Sequence, residues 1–311
     1  MHIILVNPRG FCAGVNRAVE TLNAALEKYG TPFYVYHEIV HNTWVVEDFR
    51  RRGVVFVNKV EEVPEHSWLM FSAHGISPEV RIKASQQNLK TLDAACPLVQ
   101  KVHRQVKNYA ALNYRIILIG HRGHDEVNGV MSEAPENIDV VEDEAEIEAL
   151  NYPEGTKLAY LTQTTLSVSE TQKMTSLLRR RFPQISGQPK ANICYATQNR
   201  QDAVEKFCAD AESSVDVVLI VGSRTSSNSC RLAEKAEALG ICAYLIDGHH
   251  DISSGLFRGD ETVLISAGAS APEYVVQECV NVLKNRFNAT VEEQTVCEER
   301  VHFRLPQELL S

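Results

Sequence analysis

The sequence has no apolar run long enough to cross a membrane and no leader that would direct secretion. Its longest apolar stretches, such as VDVVLIVG at 215–222, have the length of a strand, whereas a membrane helix needs about 20 apolar residues. No charged segment followed by an apolar one stands at Met1, so we expect no secretory signal. These absences predict a soluble, cytoplasmic protein.

The sequence also lacks an excess of positive charge, with 31 Lys and Arg residues against 40 Asp and Glu residues. The formal net charge is −9, and the basic residues are scattered, so binding of nucleic acid is not expected. Two short clusters, Arg50–Arg52 and Arg179–Arg181, are typical of helix ends, and docking of an acidic partner is the alternative. GFCAG and GASAP do not form GxGxxG, so no flavin or nicotinamide motif is visible.

No CxxC pair occurs among the eight cysteines, which excludes a sequence-local zinc knuckle or thioredoxin site. Five of them, at 208, 230, 242, 279 and 297, are interpreted as small buried residues or as part of the tail. The other three, Cys12, Cys96 and Cys194, each end a strand-like segment and closely precede a predicted helix (14–28, 97–112 and 198–212). The positive end of a helix favours the thiolate form. Three thiolates in matching places indicate one shared metal centre.

The order of elements after each of these cysteines is the same. A helix leads to a strand with a polar loop at its end, then a short helix and two strands lead to a second polar loop and a closing helix. The separations from cysteine to first loop are 41−12 = 29, 124−96 = 28 and 228−194 = 34 residues. Such alternation predicts three similar small parallel-sheet α/β modules.

We expect module boundaries of 13–96, 97–193 and 194–289, with the N-terminal strand, 1–12, completing the third module and a C-terminal tail at 290–311. Functional groups gather at the carboxyl ends of parallel strands. A pseudo-threefold arrangement of the modules would therefore direct the three cysteines and all six polar loops at one central point.

Two kinds of metal chemistry fit three cysteines. A cubane iron–sulfur cluster normally takes four cysteines, so three would leave one iron open for a substrate oxygen. A catalytic zinc held by three cysteines and water is the alternative. The pair Cys96-Pro97 weakly favours the cluster, because Cys-Pro recurs in cluster-binding sequences.

The polar loops offer two kinds of side chain. One set supplies hydrogen-bond donors without a fixed acidic partner, as an anion such as a diphosphate requires. Its members are His41, His74, Ser226, Ser227, Asn228 and Ser270. The other set, His124 and Glu126 with Thr164 and Thr165, supplies titratable groups and relaying hydroxyls for a protonation step.

Nine motifs together resemble one known family, in order from residue 1 to about 306. They are NPRGFCAGV, HEIVHN, FSAHG, DAACPLV, GHRGHDEV, TQTTLS, CYATQNRQ, VGSRTSSNS and SAGASAP. The family is that of the 4-hydroxy-3-methylbut-2-enyl diphosphate reductases, the last enzymes of the methylerythritol phosphate route to isoprenoids. The tail after about Ala289 resembles the family less clearly.

The resemblance implies a [4Fe–4S] cluster on Cys12, Cys96 and Cys194, with one iron not bound by cysteine. Glu126 is implied as the proton donor, with Thr164 positioning the relay and the substrate hydroxyl. The residues implied to hold or line the diphosphate site are His41, His74, His124, Ser226, Ser227, Asn228 and Ser270.

The implied reaction is reductive dehydroxylation of the allylic diphosphate to isopentenyl and dimethylallyl diphosphate. One-electron steps require an external donor such as a ferredoxin or flavodoxin, and nothing in the sequence marks a subunit interface, so we expect a monomer. Two alternatives stay open at this point. A zinc hydrolase acting on a phosphoester would be colourless, and a cluster-carrying redox sensor or electron carrier would need no diphosphate pocket.

Overall fold

The structure, a computed structural model, describes residues 1–187, 192–210, 213–253 and 255–310. By its internal contacts the chain forms two compact units. The first comprises Met1–Asn16, Val40–Arg51 and Tyr195–His302, and the second comprises Arg17–Ile39, Arg52–Cys194 and Phe303–Ser311. Within the described ranges, no helix combines the length and the apolar character that a membrane span requires.

Strands and helices alternate along the chain. The strands are β1 (His2–Asn7), β2 (Phe33–Tyr36), β3 (Val54–Val57), β4 (Trp68–Phe71), β5 (Lys90–Asp93), β6 (Arg115–Ile119), β7 (Ile138–Val141), β8 (Leu158–Thr162), β9 (Val217–Val221), β10 (Cys242–Ile246), β11 (Thr262–Ala267) and β12 (Thr290–Thr295). The helices are α1 (Ala13–Tyr29), α2 (Thr43–Arg51), α3 (Pro78–Gln86), α4 (Pro97–Ala111), α5 (Asp125–Met131), α6 (Glu144–Ala149), α7 (Val168–Arg181), α8 (Tyr195–Ala209), α9 (Ser227–Ala238), α10 (Glu273–Phe287) and α11 (Gln307–Leu310).

The strands form three parallel sheets with the same internal order. Sheet A is β10-β9-β11-β1-β12, sheet B is β3-β2-β4-β5 and sheet C is β7-β6-β8. In each sheet, the strand that follows the cysteine-led helix lies between the next two strands of the chain. The predicted α/β class with three similar parallel-sheet modules is confirmed.

The three sheets differ in the segment that pairs with the outer edge of β4, β8 or β11. In sheet B it is β5, which pairs with β4. In sheet C, Ser186 forms an isolated parallel bridge to Ala159 of β8. In sheet A it is the N-terminal strand β1, which pairs with β11, and β12 from the tail pairs with the other edge of β1. The tail therefore contributes a strand that the sequence does not predict.

The apolar faces of helices cover both faces of sheets A and C, as the continuous apolar sequences of the strands require. In sheet A, one face packs on α10 and the other on α8 and α9. In sheet C, one face packs on α7 and the other on α4 and α5. Each fully buried Leu, Ile or Val in these layers contributes about 1.5–3 kcal/mol, so the layers hold the carboxyl ends of the strands in place.

Cys12 and Cys194 precede their helices more closely than the sequence predicts, whereas the predicted start of α4 at 97 is correct. Helices α1, α4 and α8 begin at the residue directly after Cys12, Cys96 and Cys194. The predicted start of α8 at 198 was wrong by 198−195 = 3 residues, because the polar segment 197–199 hides the periodicity of its first turn. Its predicted end at 211–212 and the last tail residue, 311, lie outside the described residues.

Candidate active site

The three cysteines have the same backbone environment. The backbone nitrogen of each donates a hydrogen bond to the carbonyl oxygen of the residue two places after a neighbouring strand of its sheet (β11, β4 or β8). These pairs are Cys12 with Ala269 (3.1 Å), Cys96 with Ala73 (2.9 Å) and Cys194 with Thr164 (2.8 Å). Each cysteine is thereby fixed to a polar loop that carries predicted site residues.

The residue two places before each cysteine also donates its backbone N–H to the last residue of the neighbouring strand. Gly10 donates its N–H to Ala267 at 3.3 Å, and Ala94 donates to Phe71 at 3.1 Å. In the third case, Asn192 donates instead to the hydroxyl oxygen of Thr162 at 2.9 Å. Gly10 must be glycine, because its φ is +65° and a Cβ atom there would lie 3.1 Å from a carbonyl oxygen.

The same three cysteines lie at the N-termini of long helices. All three are partly buried, and none of the eight cysteines, all within the described residues, forms a disulfide. Burial raises the pKa of the Cys208 and Cys279 thiols to about 11 and about 12. Those two remain protonated, as small apolar residues do.

In the first unit, polar groups converge at the N-terminus of α9. Ser226 caps this helix by accepting from the N–H of Ser229 at 3.4 Å. The hydroxyl of Ser270 donates to the carbonyl oxygen of His41 at 2.9 Å and lies 3.5 Å from the hydroxyl oxygen of Ser226. Three of the predicted diphosphate ligands are therefore joined by hydrogen bonds.

Asn228 gives this part of the site an unused donor. Its Oδ1 atom accepts from the N–H of Ala269 at 2.7 Å. Its Nδ2 atom is buried and has no hydrogen-bond partner among the residues that the structure describes, although a buried donor is costly to leave unsatisfied. An N–H donor beside the N-terminus of a helix suits an oxygen-rich anion.

In the second unit, Glu126 and Thr164 form a buried pair. The Glu126 side chain accepts from the backbone N–H of Thr164 at 2.7 Å and from its hydroxyl at 2.9 Å. Burial raises the pKa of Glu126 to about 7, whereas the two bonds from Thr164 act in the opposite direction. A carboxyl group with this pKa exists in both forms near neutral pH, as a proton donor must.

His124 adjoins this acid. His124 caps α5, and its Nδ1 atom accepts from the N–H of Glu126 at 3.1 Å. Neutral His124 therefore carries its proton on Nε2. The ring of His74 meets that of His124 edge-on, with centroids 6.4 Å apart. Thr165 accepts from the amide nitrogen of Gln163 at 2.9 Å.

The polar loops correspond by position. His41, His124 and Ser226 each lie five residues after the end of a strand (36, 119 and 221). The spacing from the three cysteines paired Asn228 with His41. The strand ends pair it instead with Glu126, because each of these two residues lies seven residues after its strand. The side chains of Asn228 and Glu126 accept the same backbone bond, both at 2.7 Å. One position thus holds an amide in sheet A and an acid in sheet C.

Comparison of the sequence with models of known protein families gives a match over most of the chain. A family model described as LytB protein matches residues 3–284. The chain belongs to the LytB family.

Relatives of this LytB-family chain match it over nearly all of its length. It is 55% identical to the 4-hydroxy-3-methylbut-2-enyl diphosphate reductase of Rhodopirellula baltica, covering 99% of this chain and 96% of the relative. It is 48% identical to the Azotobacter vinelandii protein of that name, covering 99% and 98%. The solved structure of the E-1-hydroxy-2-methyl-but-2-enyl-4-diphosphate reductase from Plasmodium falciparum has a TM-score of 0.95 at 39% identity, covering 99% and 96%.

The LytB-family chain also has buried arginines that the sequence-based search for site residues missed. Arg200 and Arg17 both donate to carbonyl oxygens near the candidate cysteine ligands. Nothing local in the sequence marks either arginine, because the burial of each depends on the segments that pack around it.

Proposed function

We propose that this protein reduces 4-hydroxy-3-methylbut-2-enyl diphosphate to isopentenyl and dimethylallyl diphosphate. Relatives that are about half identical over almost the whole chain bear the name of that reductase. The observation that carries the proposal is the buried Glu126, whose pKa of about 7 and contacts with Thr164 suit a proton donor. In the balanced reaction, two electrons and two protons enter, one C–O bond breaks, one C–H bond forms and water leaves.

The proposed cofactor is a [4Fe–4S] cluster on Cys12, Cys96 and Cys194, with one iron not bound by cysteine. The donor set fits this group, because the three thiols share one backbone environment and each lies at a helix N-terminus. When bound, the cluster would supply the two electrons one at a time. Its binding requires the three modules, with the boundaries 13–96, 97–193 and 194–289 given above, to face one centre.

The chain's own groups would divide the remaining tasks. His41, Ser226, Asn228 and Ser270 in the first unit would bind the diphosphate, with Ser227 beside them and His74 from the second unit. The unsatisfied Nδ2 atom of Asn228 supports this role. These donors would hold the charged end of the substrate and leave its hydroxyl end for the acid pair.

The acid pair would move the proton. Protonated Glu126 would give its proton to the leaving hydroxyl group, which departs as water, while Thr164 orients the carboxyl group. His124, which accepts from the N–H of Glu126, and Thr165, which follows Thr164 in the chain, would bind the substrate and relay a second proton. Because Glu126 is only 2% exposed, bulk water would not compete for the transfer.

We further propose that the enzyme acts as a monomer in the cytoplasm. The absence of disulfides among eight described cysteines supports a reducing compartment. The one-electron chemistry of a cluster supports a ferredoxin or flavodoxin as the electron donor.

Anaerobic purification with iron analysis and absorbance spectroscopy tests the function. We expect a brown protein that consumes the allylic diphosphate when reduced methyl viologen supplies electrons. Cys12→Ser should lose most of the iron, and the control Cys208→Ser should keep it. A colourless protein that contains zinc, or full iron content in Cys12→Ser, would contradict the proposal.

A further inference from the structure

Among the contacts of the C-terminal tail, whose described residues are 290–310, two have no part in the proposed function. Each contact joins the tail to a buried arginine, and each arginine also binds the backbone just ahead of a candidate cluster ligand. One contact lies within the first unit and the other within the second.

In the first unit the arginine is Arg200, which is 1% exposed. Its Nε and Nη2 atoms both donate to the carbonyl oxygen of Gly10, at 3.2 and 2.8 Å. Gly10 lies two residues before Cys12. The Nη1 atom donates to the carbonyl oxygen of Ala196 at 2.7 Å, so the guanidinium fixes the Cys12 loop to the start of α8.

Glu299 of the tail balances this buried charge. Both of its carboxylate oxygens accept from Nη1 of Arg200, at 3.0 and 3.1 Å. Asn199 donates to the same carboxylate at 3.0 Å. Removal of one partner of a buried ion pair leaves an uncompensated charge and is strongly destabilising locally. The geometry of Arg200, and with it the position of Gly10, therefore depends on Glu299.

The second unit repeats this arrangement with Arg17. Its Nη1 atom donates to the carbonyl oxygen of Ala95 at 3.0 Å, and its Nη2 atom donates to that of Asp93 at 3.3 Å. Ala95 lies directly before Cys96. The Nε atom donates to the carbonyl oxygen of Arg304 in the tail at 2.8 Å.

A third contact holds the tail strand to the same region of the first unit. Glu293 of β12 pairs with Arg9, the residue before Gly10, at 2.9 Å. The side chain of Arg9 is only 7% exposed. A planar guanidinium can bind several carbonyl and carboxylate oxygens in fixed directions, so three arginines give the tail directional contacts with both cysteine loops.

We propose that the tail holds the Cys12 and Cys96 loops in the geometry that retains the cluster. Glu299, Arg200 and Arg17 are positioning residues, since they would act through the backbone ahead of the two cysteines. This inference rests on the proposed function, because it requires the two cysteines to be cluster ligands. A loop without these contacts would open more often, and an open loop exposes a ligand bond to exchange.

The test compares Glu299→Ala with Glu298→Ala in the iron-loaded full chain. Glu298 is the matched control, because its carboxylate is 68% exposed and pairs with Arg300. Under anaerobic conditions, an iron chelator such as bathophenanthroline disulfonate should remove iron from Glu299→Ala about tenfold faster than from wild type. Glu299→Gln, which keeps an oxygen acceptor, should be intermediate, and Glu298→Ala should match wild type.

Equal iron release from wild type and Glu299→Ala would overturn the inference and leave the proposed function intact. Urea unfolding of the same variants in iron-free form separates positioning from a general structural role. We expect iron loss to accelerate more than the loss of global stability accounts for. If the two changes match, the tail only stabilises the fold, and the inference is wrong. A wild-type protein that holds no iron would overturn the proposed function itself.

Discussion

The carbonyl oxygen of Thr164 accepts a hydrogen bond from the backbone nitrogen of Cys194 at 2.8 Å. The N–H and hydroxyl of the same Thr164 both donate to Glu126. One residue therefore joins a candidate cluster ligand to the candidate proton donor. A displacement of either candidate residue would therefore disturb the hydrogen bonds of Thr164 that hold the other.

Glu126→Gln should abolish most turnover. Glutamine keeps an oxygen acceptor for the N–H of Thr164 but cannot donate a carboxylic proton. General acid catalysis contributes roughly 10²–10⁴-fold, and we expect kcat to fall by about that factor while KM and iron content change little. Steady-state kinetics with reduced methyl viologen measures both. The control is Glu144→Gln, on the exposed part of α6. Unimpaired turnover would remove Glu126 from the mechanism.

Turnover should fall above a pH of about 7, where Glu126 loses the proton that it must donate. Burial raises the pKa of Glu126 to this value, whereas the hydroxyl of Thr164 lowers it by stabilising the carboxylate. Thr164→Val removes only the hydroxyl bond, so it should raise the pKa and move the alkaline limb of the kcat profile to higher pH. A limb that stays in place or moves to lower pH would contradict this assignment. The limb should be missing from the residual activity of Glu126→Gln.

Asn228→Asp should weaken diphosphate binding. Aspartate can still accept from the N–H of Ala269 through the oxygen that Asn228 uses at 2.7 Å. It replaces the buried, unsatisfied Nδ2 donor with a negative oxygen. Hydrogen bonds to charged groups contribute about 1.5–3 kcal/mol, so KM should rise tenfold or more with a smaller change in kcat. Asn285→Asp introduces the same charge at an exposed position of α10 and is the control; equal KM values in the two variants would exclude the role.

Gly75→Ala should displace the loop that carries His74. A Cβ atom on Gly75 would lie 2.9 Å from Nε2 of His103. His103 cannot yield easily, because it is buried and its Nδ1 atom is held by Glu133 at 2.7 Å. Gly155→Ala is the control, since its φ of +82° matches the +80° of Gly75 and its Cβ would meet nothing within 4 Å.

Both glycine variants should lose stability from backbone strain, of order 1–3 kcal/mol. We expect kcat/KM to fall about tenfold or more in Gly75→Ala and to stay near the wild-type value in Gly155→Ala. Thermal unfolding and steady-state kinetics, measured on both, check this. Similar kinetics in the two variants would mean that the clash between the new Cβ atom at position 75 and His103 does not displace His74.

Much of the fold could be predicted from the sequence. The strand-length apolar runs, the helices that alternate with them and the recurrence after three cysteines predict parallel sheets, because these patterns reflect local periodicity. The correspondence of loops was harder to predict. The spacing from the cysteines paired Asn228 with His41, whereas the strand ends pair Ser226 with His41. The two pairings differ because a strand ends where its hydrogen-bonded pairing ends, and the number of residues between cysteine and strand varies.

The supporting contacts could not be predicted. Arg200 and Glu299 are 99 residues apart in sequence, and nothing local marks them as a pair. Arg17 and Arg304 are 287 residues apart. The tail also supplies β12, although TVEEQT has the polar composition of an exposed segment. Such contacts arise when distant segments pack, so periodicity carries no signal for them.

The sequence alone determined which residues could do chemistry and on which kind of element they lie. It did so because side-chain type and periodicity are local properties, and parallel strands end at a common edge. Only the tertiary structure decided that Glu126 is buried against Thr164, which makes its pKa suitable for proton transfer, and that the tail reaches the cysteine loops. Desolvation and long-range ion pairs depend on which distant segments surround a group, and folding alone brings those segments together.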